Sequence, residues 1–304
     1  MRRGMEGRRG AHSSHDSHRS YPSHSPPTNT EHPPPNTEDV QHPMNALVDT
    51  HCHLNHPDLA GDLAEVLRRA EDAGVRRVVC VGYDLDTSAL AVKIAREIRM
   101  VSAAVGVHPH DAATFSKGVE EQVRRLASDK EHVVAIGETG LDYYRNLSPK
   151  DAQQKAFRRQ IELAYELDLP LIIHSRDAQA DVIAILRETG LPPRGVEMHC
   201  MPSDPDFARK ALELGCYLGI AGPVTFSNAA DLREIVGGLP LGSLVVETDA
   251  PYLTPHPHRG KRNEPAYVRL VAEKVAEVHG VPFAEVAAAT TANACRLFGL
   301  GEMP

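Results

Sequence analysis

From residue 44 onward the chain alternates between short, nearly unbroken apolar runs and longer stretches in which apolar residues recur every three or four positions. The runs occupy 46–51, 75–82, 100–108, 133–139, 169–175, 195–200, 215–222 and 243–249. Each is short and bounded by turn-forming residues, so each reads as a strand buried on both faces, the pattern of a parallel sheet. Helical spacing lies between them, as in Leu63, Val66, Leu67 and Ala70, or Phe157, Ile161, Ala164 and Tyr165. Successive runs start 29, 25, 33, 36, 26, 20 and 28 residues apart, the spacing of strand–helix units. Eight such units predict an α/β fold, a (β/α)8 TIM barrel, with two further helices near 266–279 and 283–298 to close it. The alternative, an open doubly wound sheet, requires a glycine-rich phosphate turn after an early strand, and the sequence has none.

Residues 1–43 break this pattern. Only Met1, Met5, Ala11, Tyr21 and Val40 are apolar there, against seven prolines and six histidines. A segment so poor in apolar surface cannot offset its chain entropy, which predicts a disordered Pro/His/Ser-rich tail. Its five arginines suggest a transit peptide, but five acids cancel them and no amphipathic period appears. Met44 is therefore the expected start of the ordered domain, 44–304, either as the true initiator or because the tail is a dispensable extension. The tail histidines have no spacing that fixes a metal geometry and read as solvated filler.

Composition narrows the class further. The chain is 24% charged and 41% hydrophobic, without a stretch near 18 apolar residues, which predicts a soluble protein with no membrane association. Five separated cysteines without a C-x-x-C argue for a reducing compartment. The net charge of −8 excludes a binder that works through bulk positive charge. No tryptophan and 5% aromatics leave few stacking platforms, which favours short, shallow engagement of a strand.

The chemistry lies at the ends of the runs. The first ends in Asp49-Thr50-His51-Cys52-His53, the fourth in Gly137-Glu138-Thr139-Gly140-Leu141-Asp142, the fifth in His174, the sixth in His199 and the eighth in Glu247-Thr248-Asp249. In a barrel these ends converge on one mouth. Alternation along a strand puts His51 and His53 on one face, with Asp49 one layer deeper and Cys52 turned toward the helices. Singly, each histidine could be a hydrogen-bonded strand end, and Asp249 before Ala250-Pro251 a helix cap. Together they predict a metal site. The ligands are too many for one ion that keeps an open position, so two divalent ions are expected, with Glu138 as the bridging anion. The mixed set suits Mg, Mn or Zn. Asp249 could both hold an ion and accept a proton from water.

These blocks, together with Gly106-Val107-His108-Pro109-His110, Ile173-His174-Ser175-Arg176-Asp177, Val246 to Leu253 and Arg259 to Pro265, resemble the TatD family of metal-dependent deoxyribonucleases within the amidohydrolase-like barrels. The resemblance spans about 46–300. It implies that His51, His53 and Asp249 hold one ion, that His174 and His199 hold the second, and that Glu138 bridges them. It also implies a monomeric, cytoplasmic enzyme that cleaves DNA phosphodiester bonds, often as a 3′-to-5′ exonuclease. Two departures stand out: Asn55 where the family has an acid, and Met201-Pro202-Ser203 after His199-Cys200, where proline restricts a loop at the mouth.

Among substrate-side candidates, His108 is expected to contact phosphate or protonate the leaving oxygen, unless it merely stabilises the turn before Pro109. Arg176 is a candidate for a bidentate phosphate contact, or for a structural pair with Asp177 or Asp142. The Arg259, Lys261, Arg262 cluster is the one dense basic run after residue 43, either a nucleic-acid backbone contact or a solvated loop. Glu247 alternates with Asp249 and is expected behind the ligands. The function expected is a two-ion DNase acting on single-stranded DNA or 3′ ends. The same site acting on a small ester, lactone or amide is the alternative, and a non-enzymatic metal-holding scaffold is disfavoured because the ligand set is complete.

Overall fold

The computed structural model describes residues 45–301. The tail and the boundary placed at 43/44 lie outside the described residues. Eight strands run in chain order and pair in parallel with their neighbours: β1 (Leu47–Cys52), β2 (Val75–Val81), β3 (Val101–Val105), β4 (Val133–Asp142), β5 (Leu171–Arg176), β6 (Val196–Met198), β7 (Tyr217–Ile220) and β8 (Leu244–Val246). They form a TIM barrel, as the spacing of the apolar runs predicted. Helices α1 (Pro57–Ala60) and α2 (Leu63–Asp72) follow β1, α3 (Leu85–Glu97) follows β2, and α4 (Lys117–Ala127) follows β3. Next come α5 (Lys150–Leu167), α6 (Gln179–Thr189), α7 (Pro205–Glu213) and α8 (Ala230–Gly237), one after each of β4 to β7. Last are α9 (Val268–His279) and α10 (Phe283–Phe298), close to the bounds predicted for the closing helices.

Two apolar layers follow from strand alternation. Val48, Val79, Val81, Ala104, Ala135, Ile172 and Val245 fill the barrel interior, stopped at one end by Leu297 and Phe298 of α10. The larger layer lies between strands and helices and takes in Leu47, Cys52, Val78, Cys80, Ile136, Ile173, Met198 and Val246. Tyr165, read as part of an apolar stripe, is instead half exposed on the outer side of α5.

Strict alternation fails in β1. Its register against β2 shifts between Asp49 and Cys52, as a bulge does. Val48 lies in the interior layer and Thr50 reaches inward to Glu197 Oε1 at 2.6 Å, whereas His51 and His53 take over the inward positions beyond the shift. Asp49 is therefore not one layer deeper on the histidine face. It turns across the gap between β1 and β8 and accepts from Thr248 N (2.9 Å) and Thr248 Oγ1 (2.6 Å).

That gap is the seam of the barrel. Between β8 and β1 the sheet has only the isolated bridge Cys52–Ala250. Asp249 N donates to His51 O and His53 N to Ala250 O, each at 2.8 Å, and these bonds draw the two ends together. Elsewhere, helix side chains satisfy irregular strand ends. Gln160 of α5 is fully buried. It accepts from Val107 N (2.8 Å) and donates to Val107 O (2.9 Å) and Thr139 Oγ1 (2.6 Å).

Replacing Gln160 by leucine strands a buried N–H and a buried carbonyl of Val107. The expected cost is about 2–4 kcal/mol, since each orphaned group costs roughly 1–3 kcal/mol. It should appear as a lower urea midpoint at unchanged m value, and an unaltered midpoint would contradict the bracing role.

Candidate metal centre

The seam assembles the first ligand group. His51 Nε2 lies 3.3 Å from His53 Nε2, 3.5 Å from Glu138 Oε2 and 3.8 Å from Asp249 Oδ1. His53 Nε2 is 3.9 Å from Glu138 Oε2 and 3.4 Å from Asp249 Oδ1. Four donors arranged tetrahedrally around one ion, each about 2.1 Å from it, stand roughly 3.4 Å apart, so this set fits a single divalent cation. His53 directs Nδ1 to the Val81 carbonyl at 2.9 Å, which leaves Nε2 free to face the group. Asp249 is no helix cap: it has φ +56°, and the next helical turn starts only at Pro265.

The other oxygen of Glu138 faces a second group. Oε1 is 2.9 Å from His174 Nδ1 and 3.6 Å from His108 Nε2, so one carboxylate looks both ways, as a bridging ligand must. His108, Glu138 and His174 form the compact trio here. His199, expected beside His174, has its ring centroid 6.4 Å from that ring and stacks instead on His51 at 3.6 Å, with Nε2 3.8 Å from Asp249 Oδ1. Asp142 Oδ2 sits behind His174, 3.3 Å from its Nε2 and 2.8 Å from His110 Nε2. Close strand packing enables this: Gly140 has φ +134°, and a Cβ there would lie 2.1 Å from the His174 carbonyl oxygen.

A layer of buried acids supports the group. Glu247 Oε2 is 3.0 Å from His199 Nδ1, and Oε1 accepts from Cys200 N at 2.6 Å. A Cβ on Gly219 would meet this carboxylate at 2.8–3.0 Å, so glycine makes room for it. Burial raises the Glu197 carboxyl well above its ordinary range, and the neighbouring Glu247 charge adds to the rise. Burial also pushes Asp49 up to about 8 against its Thr248 hydrogen bonds.

The ligands themselves diverge. Burial opposes ionisation of Glu138, but the surrounding His108 and His51 and the His174 bond hold it well below the usual carboxylate range. Asp249 is lowered in the same way, with burial outweighed by His53 and His199. Burial drives His108 well below 6.5 and leaves it neutral. Burial also disfavours the charged form of His199, but Glu247 outweighs it and raises the imidazole to about 10.

Around this group lies a cleft of about 530 Å³ lined by His53, Tyr83, His108, His110, Glu138, Asp142, Arg145, His174, Arg176, His199, Asp249 and Tyr252, among others. Arg176 lies on its rim, its guanidinium 4.0 Å over the Tyr144 ring, and pairs with no acid among the described residues. Arg259 and Arg262 are not brought to the cleft. Arg259 lies 3.8 Å over Phe226 and donates to Thr254 O. Arg262 is held by both oxygens of Asp62, at 2.7 and 2.8 Å. Their charges are spent locally, which a linear run of basic residues cannot reveal. Met201 is buried in the outer layer, and Asn55 donates to the Val81 and Thr87 carbonyls at 3.0 and 2.9 Å. The reading from residues missed Tyr83, His110, Asp142, Arg145 and Tyr252. His110, Asp142 and Tyr252 stood inside the motifs that carried the resemblance, and Arg145 lies three residues after Asp142.

Comparison with known proteins agrees with this geometry. The family described as TatD related DNase matches residues 48–299. The chain is 47% identical over 252 residues to YabD of Bacillus subtilis, described as an uncharacterized metal-dependent hydrolase, covering 83% of this chain and 98% of that one. It is 36% identical over 260 residues to TatD of Shigella flexneri, described as a 3′-5′ ssDNA/RNA exonuclease, covering 84% and 99%. Among solved structures, YjjV, a TatD homologue of Escherichia coli, superposes with TM-score 0.80 at 31% identity, covering 84% and 98%.

Metal binding should expel protons. His199 keeps its proton up to about pH 10, and a ligating imidazole must give its proton up. Affinity for a divalent ion should therefore fall as pH is lowered, with net proton release at pH 7. Calorimetric titrations in buffers of different ionisation enthalpy measure that release, and buffer-independent heats would contradict it.

Proposed function

The chain belongs to the TatD family of metal-dependent hydrolases, and from that premise we propose that it is a deoxyribonuclease that uses two divalent ions, Mg, Mn or Zn. It removes nucleotides from the 3′ end of single-stranded DNA, as a monomer in the cytoplasm. The observation that carries the reading is the two-faced Glu138 carboxylate, with imidazoles on both sides of it and Arg145 and Arg176 on the rim of the same cleft. Two cations held at the mouth of a protein of net charge −8 would supply local attraction for phosphate. Five free cysteines accord with a reducing compartment.

His51, His53 and Asp249 would hold one ion and His174 and His199 the other, with Glu138 between them. Once bound, the ions polarise the phosphoryl group and lower the pKa of a water. The remaining work falls to side chains. Asp249, held ionised by His53 and His199 against burial, accepts the proton of the attacking water. His108 takes the His110 backbone N–H on Nδ1 at 3.1 Å, so its own proton sits on Nε2, facing Glu138. A buried neutral imidazole donates a hydrogen bond to a phosphoryl oxygen rather than transferring its proton. Arg145 and Arg176 orient the phosphate from the rim. Glu247 anchors His199 through Nδ1 and leaves Nε2 turned to the site.

The alternative, hydrolysis of a small ester, lactone or amide, is favoured by one feature: a cleft of about 530 Å³ is the size of a small-molecule site.

Purified protein supplied with Mg, Mn or Zn should shorten 5′-labelled single-stranded DNA from its 3′ end. Glu138→Ala and Asp249→Ala should each lower the rate at least roughly 100-fold, as expected for loss of a group that holds the ions. Intact DNA alongside turnover of p-nitrophenyl esters would transfer the function to the alternative.

A further inference from the structure

The two walls of the cleft differ. Arg145 and Arg176 stand on the side of β4 and β5. On the side of β1 and β8, Tyr83 and Tyr252 set their rings against the same histidine, His53. The centroids are 5.5 and 6.2 Å from the His53 ring, and the planes stand nearly perpendicular to it, at 77° and 68°. Both tyrosines line the cleft, and Tyr252 is 50% exposed. Two other tyrosines have their hydroxyls engaged: Tyr143 donates to Asp181 at 2.7 Å, and Tyr217 accepts from Arg296 at 3.3 Å. No such bond holds the hydroxyls of Tyr83 and Tyr252 among the described residues.

Exposed apolar surface concentrates at the same mouth. Leu90, Tyr144, Leu147, Tyr165 and Tyr252 are the large exposed apolar side chains described, and Tyr144, Leu147 and Tyr252 lie in loops that follow the C-terminal ends of strands. A soluble protein leaves aromatic rings half in water at a polar cleft when something flat is to cover them. The chain has no tryptophan, so tyrosine is its platform for stacking.

We propose that Tyr83 and Tyr252 form a stacking wall for the unpaired base of the terminal nucleotide, while Arg145 and Arg176 hold the adjoining phosphate across the cleft. This rests on the nuclease reading of the site and adds to it the element that recognises the end. Every base offers a π face, so the wall is indifferent to sequence. A paired base must first leave its stack, which costs a few kcal/mol, so the wall selects frayed or single-stranded ends. An aliphatic ester or lactone has no ring to place there and gains little from the wall.

The test pairs substrate and protein changes. Two 5′-labelled single strands are compared, one with an ordinary 3′ nucleotide and one ending in an abasic residue, in wild-type protein and in Tyr252→Ala, Tyr83→Ala and Tyr252→Phe. Equilibrium binding by fluorescence anisotropy accompanies the kinetics. Loss of a base–aromatic stack corresponds to roughly 5- to 150-fold in affinity. Wild-type KM and Kd should rise by that range on the abasic end. Each alanine variant should show the same rise on the ordinary end and little further rise on the abasic one. Tyr252→Phe should retain wild-type discrimination, which separates stacking from a role of the hydroxyl. Divalent-ion binding by the variants, measured separately, shows that their fold and ligand group persist. Variants that discriminate the abasic end as well as wild type does, or whose loss falls on kcat alone, would overturn the wall while leaving the nuclease reading intact. Failure of wild-type protein to bind or cut either strand would overturn both.

Discussion

Everything at the mouth of this barrel depends on how its ends are joined. A parallel barrel closes only if its last strand pairs with its first, and here that pairing is almost entirely missing. Polar links replace the ladder: Asp49 to Thr248, Thr50 Oγ1 to Val246 O, Asp249 N to His51 O, and His53 N to Ala250 O. The residues in these links are themselves metal-ligand candidates or their immediate neighbours. Closing the fold and bringing His51, His53 and Asp249 together are thus one event. The bulge in β1 follows from the same constraint, because it frees Asp49 for the seam while returning both histidines to the mouth.

Beneath the mouth, the interior contains more acid than a packed core accepts without compensation. Glu197 and Glu247 share one dry layer, and two carboxyls so placed cannot both carry charge. The pair resolves this unequally. Glu197 is driven toward its neutral form and receives the Thr50 hydroxyl, whereas Glu247 faces His199 Nδ1 and accepts from the Cys200 amide. Gly219 contributes by what it lacks, because any side chain would occupy the space of the Glu247 carboxylate. The outer helices brace in their own way: Gln160 of α5 hydrogen-bonds to the main chain just beyond β3 and Gln153 to that at the end of β4.

Much of this was legible in the amino-acid sequence. Apolar runs bounded by turns can be little else than strands buried on both faces, and His51, Glu138, His174, His199 and Asp249 were readable because run ends share one side of a barrel. The shifted position of Asp49 was not, because a bulge inserts a phase change that alternation cannot anticipate. The pairing of Arg262 with Asp62, 200 residues away, was not legible either, because charge along a chain does not disclose its partners. His110 and Asp142 were overlooked because their link, at 2.8 Å, joins two separate strand ends. The assignment of His174 and His199 to one ion came from resemblance, and the distances add His108 to the Glu138–His174 pair.

The ligand group draws on the first and last strands of the barrel, with two imidazoles from the end of the first and a carboxylate that arrives just after the eighth. During synthesis a ribosome must therefore release nearly the whole polypeptide before the cluster can exist. A truncated product that stops short of Asp249 has histidines without the closing acid, and it also lacks the seam that would hold them in place. Such a fragment has no assembled centre with which to cut anything. For a metal-dependent hydrolase of this family, that ties the appearance of reactivity to the completion of the fold.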